Sequence, residues 1–399
     1  LEVKERNYAF DGAISEEVLR NYLSRSIVLS YLGGWRYKDE TPEKTAEDCR
    51  NLILRTGAKY IARAACAWIP GPEEAEKLPL YQEELQRVHS QDPTVIFEAC
   101  IFETAYRRFE QLAIPPEVFR AFGLPPEERC FRYEDMLFPD GTYVDHWEPG
   151  GSVPDITRLE TQLFFYWRGC LYIDLGFEAL HYGQVLLIGE QDQQYACWTK
   201  VLNMVREYAK RRARRHFVLL NAHTHGIIGT DGKLLFDFHC YPCRPVADES
   251  VQPHPPAKGN PQPARLISGW GNSIYQRSLG GETHSGWSCA SLPYFVEIDN
   301  YGCQPPELLN QPVDYYPWGY DEISWFANQP KDYRREWVLY ARDWLREKDP
   351  AGYLEMTGIR PFRRYAPELP ERLTRGEFYY VNAEEFSDED ILTAVWSEE

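Results

Sequence analysis

Glu178 and Glu297 are the residues best placed to do chemistry in this sequence. Each stands inside a short apolar run, Gly-Phe-Glu-Ala-Leu-His at 176–181 and Pro-Tyr-Phe-Val-Glu-Ile-Asp at 293–299. A carboxylate in a buried strand is costly unless it is paired or lines a cavity. Two such groups facing one cleft, one protonated and one ionised, have the makings of a retaining glycosidase pair. That chemistry needs carboxyl groups about 5–5.5 Å apart, and an inverting enzyme at about 6.5–9.5 Å would use the same residues. Glu103 is the best substitute for either glutamate, followed by Asp299 and Asp237.

The other candidates would bind rather than react. Gln184, Asn221, His223, Asn300 and Arg360, with His181, have the polar groups that sugar hydroxyls require. Trp35, Trp68, Trp287 and Trp318 could stack on pyranose rings. Aromatic residues make up 15% of the chain, with 12 Trp, 27 Tyr and 19 Phe against 3 Met. That excess serves an aromatic core as well as a sugar cleft, and composition leaves both open.

A rival chemistry comes from Asn221-Ala222-His223-Thr224-His225-Gly226, a His-x-His whose alternate side chains could face one metal ion. His239, His284 and Asp299 or Asp237 would complete the site, and the metal would activate water. A third reading is a non-catalytic carbohydrate-binding barrel, with arginine-paired carboxylates as its mark. The glycosidase reading needs no metal and no other cofactor, and its partner is a carbohydrate or small-molecule glycoside.

These residues must be positioned by elements that alternate along the chain. Helical periodicity covers 15–32, and a helix opens at Thr41-Pro42 and stops at Gly57. Further helices are expected at 72–90, 105–122, from Asp155 to Gly176, at 195–215, 321–328 and 331–348. Apolar strands are read at 59–68, 94–103, 177–181, 217–221, 234–239, 293–298 and 353–356. One more is expected in 131–147, as a hairpin or a single core strand. Eight strands alternating with helices predict an α/β fold, a (β/α)₈ TIM barrel. The dozen residues between the strands at 217 and 234 are too few for an ordinary crossover, so an inserted hairpin or irregular barrel is expected there. The barrel is expected over 59–360, with a helical segment at 1–58 packing on it and an extension at 361–399. In such a barrel the groups at the C-terminal strand ends share one face. Glu98, Glu103, Glu178, His181, Asn221, Glu297, Glu355 and Arg360 all lie in or just after the expected strands.

This layout resembles the large clan of retaining (β/α)₈ glycoside hydrolases, whose acid/base glutamate ends strand four and whose nucleophile ends strand seven. The resemblance implies Glu178 as acid/base and Glu297 as nucleophile. In that clan an Asn usually precedes the acid/base, whereas Phe177 precedes Glu178 here. The stretches Val153-Pro154-Asp155-Ile156, Glu178–Gln184 and Ser291-Leu292-Pro293-Tyr294 are also similar to uncharacterised bacterial proteins of this barrel class. The His-x-His resembles that of barrel amidohydrolases, where it belongs to the first strand rather than the fifth.

Charge and hydropathy exclude other classes. The 399 residues carry a formal net charge of −18, which repels phosphate backbones and disfavours nucleic acid as a partner. No apolar run approaches the ~20 residues of a membrane span. No charged-then-apolar leader is read at the start, at Leu1. The four arginines at 211–215 suit a helix C-terminus. Most of the 10 cysteines fall on apolar faces, which predicts free thiols and a reducing, cytoplasmic setting. Cys240-Tyr241-Pro242-Cys243 has redox spacing but runs into Arg244-Pro245 instead of opening a helix. Nothing in the pattern speaks to oligomeric state.

Overall fold

The computed structural model describes residues 6–32, 36–248, 263–267, 278–300, 319, 321–366, 368 and 374–397. Its centre is a large, curled, mainly parallel sheet. In chain order its strands are β1 (Ser26–Leu29), β2 (Tyr60–Ala65), β3 (Ile96–Cys100), β4 (Ala179–His181), β5 (Leu219–Ala222), β6 (Phe238–Pro242), β7 (Tyr294–Glu297), β8 (Gly352–Leu354), β9 (Met356–Tyr365) and β10 (Thr374–Tyr380). From β1 to β8 each strand lies parallel to the next in sequence. β9 pairs in parallel with β1 and carries antiparallel β10 on its other side. Only Glu355 separates β8 from β9, so the two flanks of the curl converge on that residue.

Helices fill most of the crossovers. The helices of the chain include α1 (Glu16–Leu23), α2 (Pro42–Thr56), α3 (Leu78–His89), α4 (Leu159–Leu175), α5 (Ala196–Arg212), α6 (Glu322–Ala327), α7 (Lys331–Lys348) and α8 (Glu389–Ser397). Local chemistry sets their ends. The Thr41 hydroxyl accepts from the Lys44 amide at the start of α2, and Gly57 closes the helix at φ 70. Gly176, at φ 103, turns the chain out of α4 and straight into β4.

Three expectations are corrected. The helix read over 15–32 stops at Leu23, and Ser26–Leu29 is a strand of the sheet. The residues at 131–147 form neither a hairpin nor a core strand, but a loop with a short 3-10 turn at Glu134–Met136. The sixth strand starts at Phe238 rather than 234. Between β5 and β6 there is no helix, only an antiparallel bridge between Ile228 and Leu234, in keeping with the irregular crossover expected there.

The inward faces of the strands divide into two layers. Val28, Tyr60, Ala62, Ile96, Ala179, Leu219, Phe238, Cys240 and Phe295 join Val18, Leu19, Tyr22 and Leu23 of α1 in one apolar cluster. The Tyr22 hydroxyl donates to the Thr94 carbonyl just before β3, so α1 covers the N-terminal ends of the strands. Toward their C-terminal ends the inward residues become polar. Among the described residues, no helix is long and apolar enough to cross a membrane.

Candidate active site

Glu297 ends β7, and its side chain is wholly enclosed. Its Oε1 accepts from Arg63 Nη2 at 2.5 Å and lies 2.9 Å from His223 Nε2, while its Oε2 accepts from Arg360 Nη1 at 3.1 Å. The Cys240 thiol also points at Oε1, from 3.3 Å. Burial by itself would push the Glu297 carboxyl up. The Arg63 guanidinium, the His223 hydrogen bond and Arg360 outweigh it and hold the group well below the usual carboxylate range. Glu297 is therefore an ionised carboxylate in an enclosed site.

Arg63 reaches it through an unusual backbone. Its φ is 52, in the left-handed region, where the β2–β3 register shifts between Ile61 and Ala65. A non-glycine residue in that region costs about 1–3 kcal/mol and needs its surroundings to hold it there. Here the Arg63 amide donates to Glu98 Oε1 at 3.0 Å, and its side chain is fixed by Glu297.

A second buried carboxyl, Glu98, orders the neighbouring strands. It accepts from the Tyr60 hydroxyl at 2.5 Å and from Asn221 Nδ2 at 2.7 Å. The amide orientation of Asn221 leaves its Oδ1 to accept from His181 Nδ1, 2.6 Å away. This makes His181 the Nδ1–H tautomer, and burial, then Arg63 and His223, keep its pKa well below the ordinary histidine value. The His181 and His223 rings meet edge to face at 4.8 Å. His223 alone of this group keeps appreciable exposure, 19% of its side chain.

A third carboxyl, Glu355, accepts from the Ser26 hydroxyl at 2.8 Å. Burial first, then repulsion from Glu297 and Glu98, raises its pKa well above the ordinary value, so it is held protonated. The depression of Glu297 and the elevation of Glu355 separate two nearby carboxyls into ionised and neutral forms, as acid–base sites require.

Asp299 and Asn300, just beyond β7, accept from the other Arg360 nitrogen, Asp299 at 3.1 Å. The buried Glu322 carboxylate at the start of α6 accepts from the amides of Asp299, Cys243 and Arg244, tying together the loops after β6 and β7. On the other side of the cluster, Phe102 packs against His181 and joins Trp68 at 5.0 Å; Trp68 in turn meets Trp147 at 5.3 Å. Glu103 braces this aromatic group. Its carbonyl accepts from Trp147 Nε1, and its carboxylate accepts from the Gln184 amide and Nε2.

One connected patch at the C-terminal strand ends thus gathers Trp68, Glu103, His181, Gln184, Asn221, His223, Glu297, Asp299, Asn300 and Arg360. Glu178 is not part of it. The residue precedes β4 and sits at the N-terminal edge of the sheet, its carboxylate bound by Arg214 and Arg215 at 2.5–2.9 Å. Glu178 and Glu297 occupy opposite ends of parallel strands, and the expected facing pair is not formed. Asp237 also stands apart, buried against Arg206 of α5 and accepting from the Leu220 amide. Trp287 donates to the Ile14 carbonyl and packs on the α1 cluster, at the opposite end of the sheet. Trp35 and Trp318 lie outside the described residues.

The metal reading is not favoured by the donors. His223 and His225 part company after β5: His223 turns to Glu297, while the His225 ring packs at a tilt against Tyr241 at 4.7 Å. His284 lies by Asp231, at 3.8 Å. His223, Cys240 and Glu297 do hold ligand atoms within 4.8 Å of one another. Two guanidiniums already bind the only anion among them, and a divalent cation placed there would face both.

Arg63, Glu98 and Glu355 complete this site, and Arg63 is the residue that sequence reasoning passed over. The signal was present in Lys-Tyr-Ile-Ala-Arg-Ala-Ala-Cys-Ala-Trp: a charge inside an apolar strand, the same mark that singled out Glu297.

No family model matches the chain, and no curated protein does. Among solved structures, similarity is found to a GH27 β-L-arabinopyranosidase from Geobacillus stearothermophilus in complex with arabinose, at 13% identity and TM-score 0.28, covering 46% of this chain and 44% of that one. The wild-type form of that enzyme aligns at 13% identity and TM-score 0.26, over 46% of this chain and 43% of the other. The chain spans less than half the length of these glycoside hydrolases.

Proposed function

We propose that the protein is a glycoside hydrolase whose site lies at the C-terminal ends of the parallel strands, with Glu297 as its ionised carboxylate. On this reading β8 and β9 act as one eighth strand interrupted at Glu355, and the sheet is a closed (β/α)₈ barrel. The observation that carries the proposal is the state of Glu297: a buried carboxylate on strand seven, kept anionic by Arg63 and Arg360, beside a histidine that reaches solvent. An anion fixed in this way is suited to attack or stabilise a developing oxocarbenium centre. Glu103 takes the acid/base role in place of Glu178, because it lies on the same face beside the Trp68–Phe102–Trp147 group, where a sugar ring could stack.

A second reading rests on a specific feature. Both oxygens of Glu297 are engaged by arginine, and a carboxylate spent on ion pairs suits a non-catalytic carbohydrate-binding barrel. A panel of aryl glycosides, assayed with the wild-type protein and Glu297→Gln, tests the two. Turnover by the wild type that is lost in the variant supports the hydrolase. Saturable sugar binding without turnover supports the binding protein, and neither binding nor turnover refutes both.

A further inference from the structure

β2 and β3 run side by side in parallel with Ala65 opposite Ala99. The residues that follow, Cys66 just past the end of β2 and Cys100 at the end of β3, therefore stand side by side. Neighbouring strands lie about 4.7–4.9 Å apart, within the ~4.4–6.8 Å Cα separation that a disulfide spans. The two thiols differ in setting. Cys66 is exposed, whereas Cys100 is buried as the last residue of β3.

The surroundings divide the roles. Cys66 reaches solvent at the surface although the chain around it partly desolvates the thiol; the neighbouring Cys100, then Arg63 and Arg360, outweigh that and lower its pKa. Burial raises the Cys100 thiol well above its ordinary value. Other thiols are driven the same way as Cys100: burial pushes Cys170 up to about 12 and Cys197 up to about 11. An exposed thiol in a cationic setting with a second thiol in reach is the arrangement of a reactive cysteine and its resolving partner.

We propose that Cys66 and Cys100 are a redox pair next to the Arg63 segment, closed to a disulfide by exchange with a small-molecule disulfide. The Cys66 thiolate attacks one sulfur of the reagent, forming a mixed disulfide and releasing one thiolate. Cys100 then loses its proton to solvent and attacks the Cys66 sulfur, and the second half of the reagent leaves as a thiolate. The protein loses two protons and two electrons, and the reagent takes up both to become two thiols. The step does not depend on the glycosidase reading, because its readout is the covalent state of the chain.

The test is to treat the reduced full-length protein with oxidised glutathione, block free thiols and map the peptides by mass spectrometry. The expected product has lost the mass of two hydrogens and yields one cross-linked peptide joining Cys66 to Cys100, both reversed by dithiothreitol. Cys100→Ser should stop at a single glutathione on Cys66, formed about tenfold faster than on exposed or half-buried thiols such as Cys289. Cys66→Ser should give neither product. A wild-type protein that takes up glutathione elsewhere while Cys66 and Cys100 stay unlinked would overturn the proposal. So would a bridge from Cys66 to any other cysteine.

Discussion

Replacing Glu355 by glutamine should stabilise the protein increasingly as pH rises. The wild-type carboxyl is buried and held protonated, with a pKa well above the usual value of 4.5. In the unfolded chain it ionises near that usual value. Between the two pKa values the folded state binds a proton that the unfolded state has released, so stability falls with rising pH. The slope for one such proton is about 1.4 kcal/mol per pH unit. Glutamine keeps an oxygen for the Ser26 hydroxyl, which now reaches Oε1 from 2.8 Å, and has no proton to take up. From about pH 5.5 to 6.5 the stability of Glu355→Gln should therefore gain about 1.4 kcal/mol on the wild type. Glu297 is present in both proteins, and its depressed pKa acts on stability below the usual carboxylate range, so it cancels. Urea denaturation of both proteins at the two pH values gives the difference directly. Stabilities that keep the same separation at both pH values would refute a neutral Glu355.

Other expectations concern the neighbouring groups. Glu178→Gln leaves the Arg214 and Arg215 charges without their partner and should cost about 3 kcal/mol in a denaturant titration. Glycoside turnover per folded molecule should survive that change, and its loss would restore Glu178 to the catalytic machinery. Arg63→Met removes the strongest force holding Glu297 ionised, so its pKa rises and the acid limb of the turnover–pH profile should move to higher pH. An unmoved limb would show that Glu297 does not set it. Trp68→Ala should weaken sugar binding about tenfold, by isothermal titration, if the aromatic group carries a ring. Unchanged affinity would leave Trp68 a purely structural residue.

The long helices and most strands could be read from the sequence because each carries a strong local signal. Thr41 and Gly57 bound α2 by their own chemistry, and the apolar runs at 59–68 and 94–103 contain β2 and β3. Ser26–Leu29 escaped because three apolar residues, Ile27–Leu29, so soon after α1 continue a helical pattern as well as they start a strand. Asp237 and Glu178 show a subtler loss. With β6 starting at Phe238 and β4 at Ala179, each stands at the beginning of its strand, away from the C-terminal face. The length of the apolar run did not reveal where pairing would begin. The Arg214–Arg215 run was readable as helix-end charge, but its bonds to Glu178 depend on which strand α5 precedes. Glu297, His223 and Arg360 were legible as polar groups at strand ends. Their mutual contacts depend on the curl of the whole sheet.

Whether Glu297 is the carboxylate that meets the sugar is tested most directly by a mechanism-based trap. The protein is incubated with activated 2-deoxy-2-fluoro glycosides and digested, and the labelled peptide is sequenced by mass spectrometry. A single glycosyl ester on Glu297 is expected, absent in Glu297→Gln. An ester on Glu103, Asp299 or Glu178, with Glu297 unmodified, would contradict it.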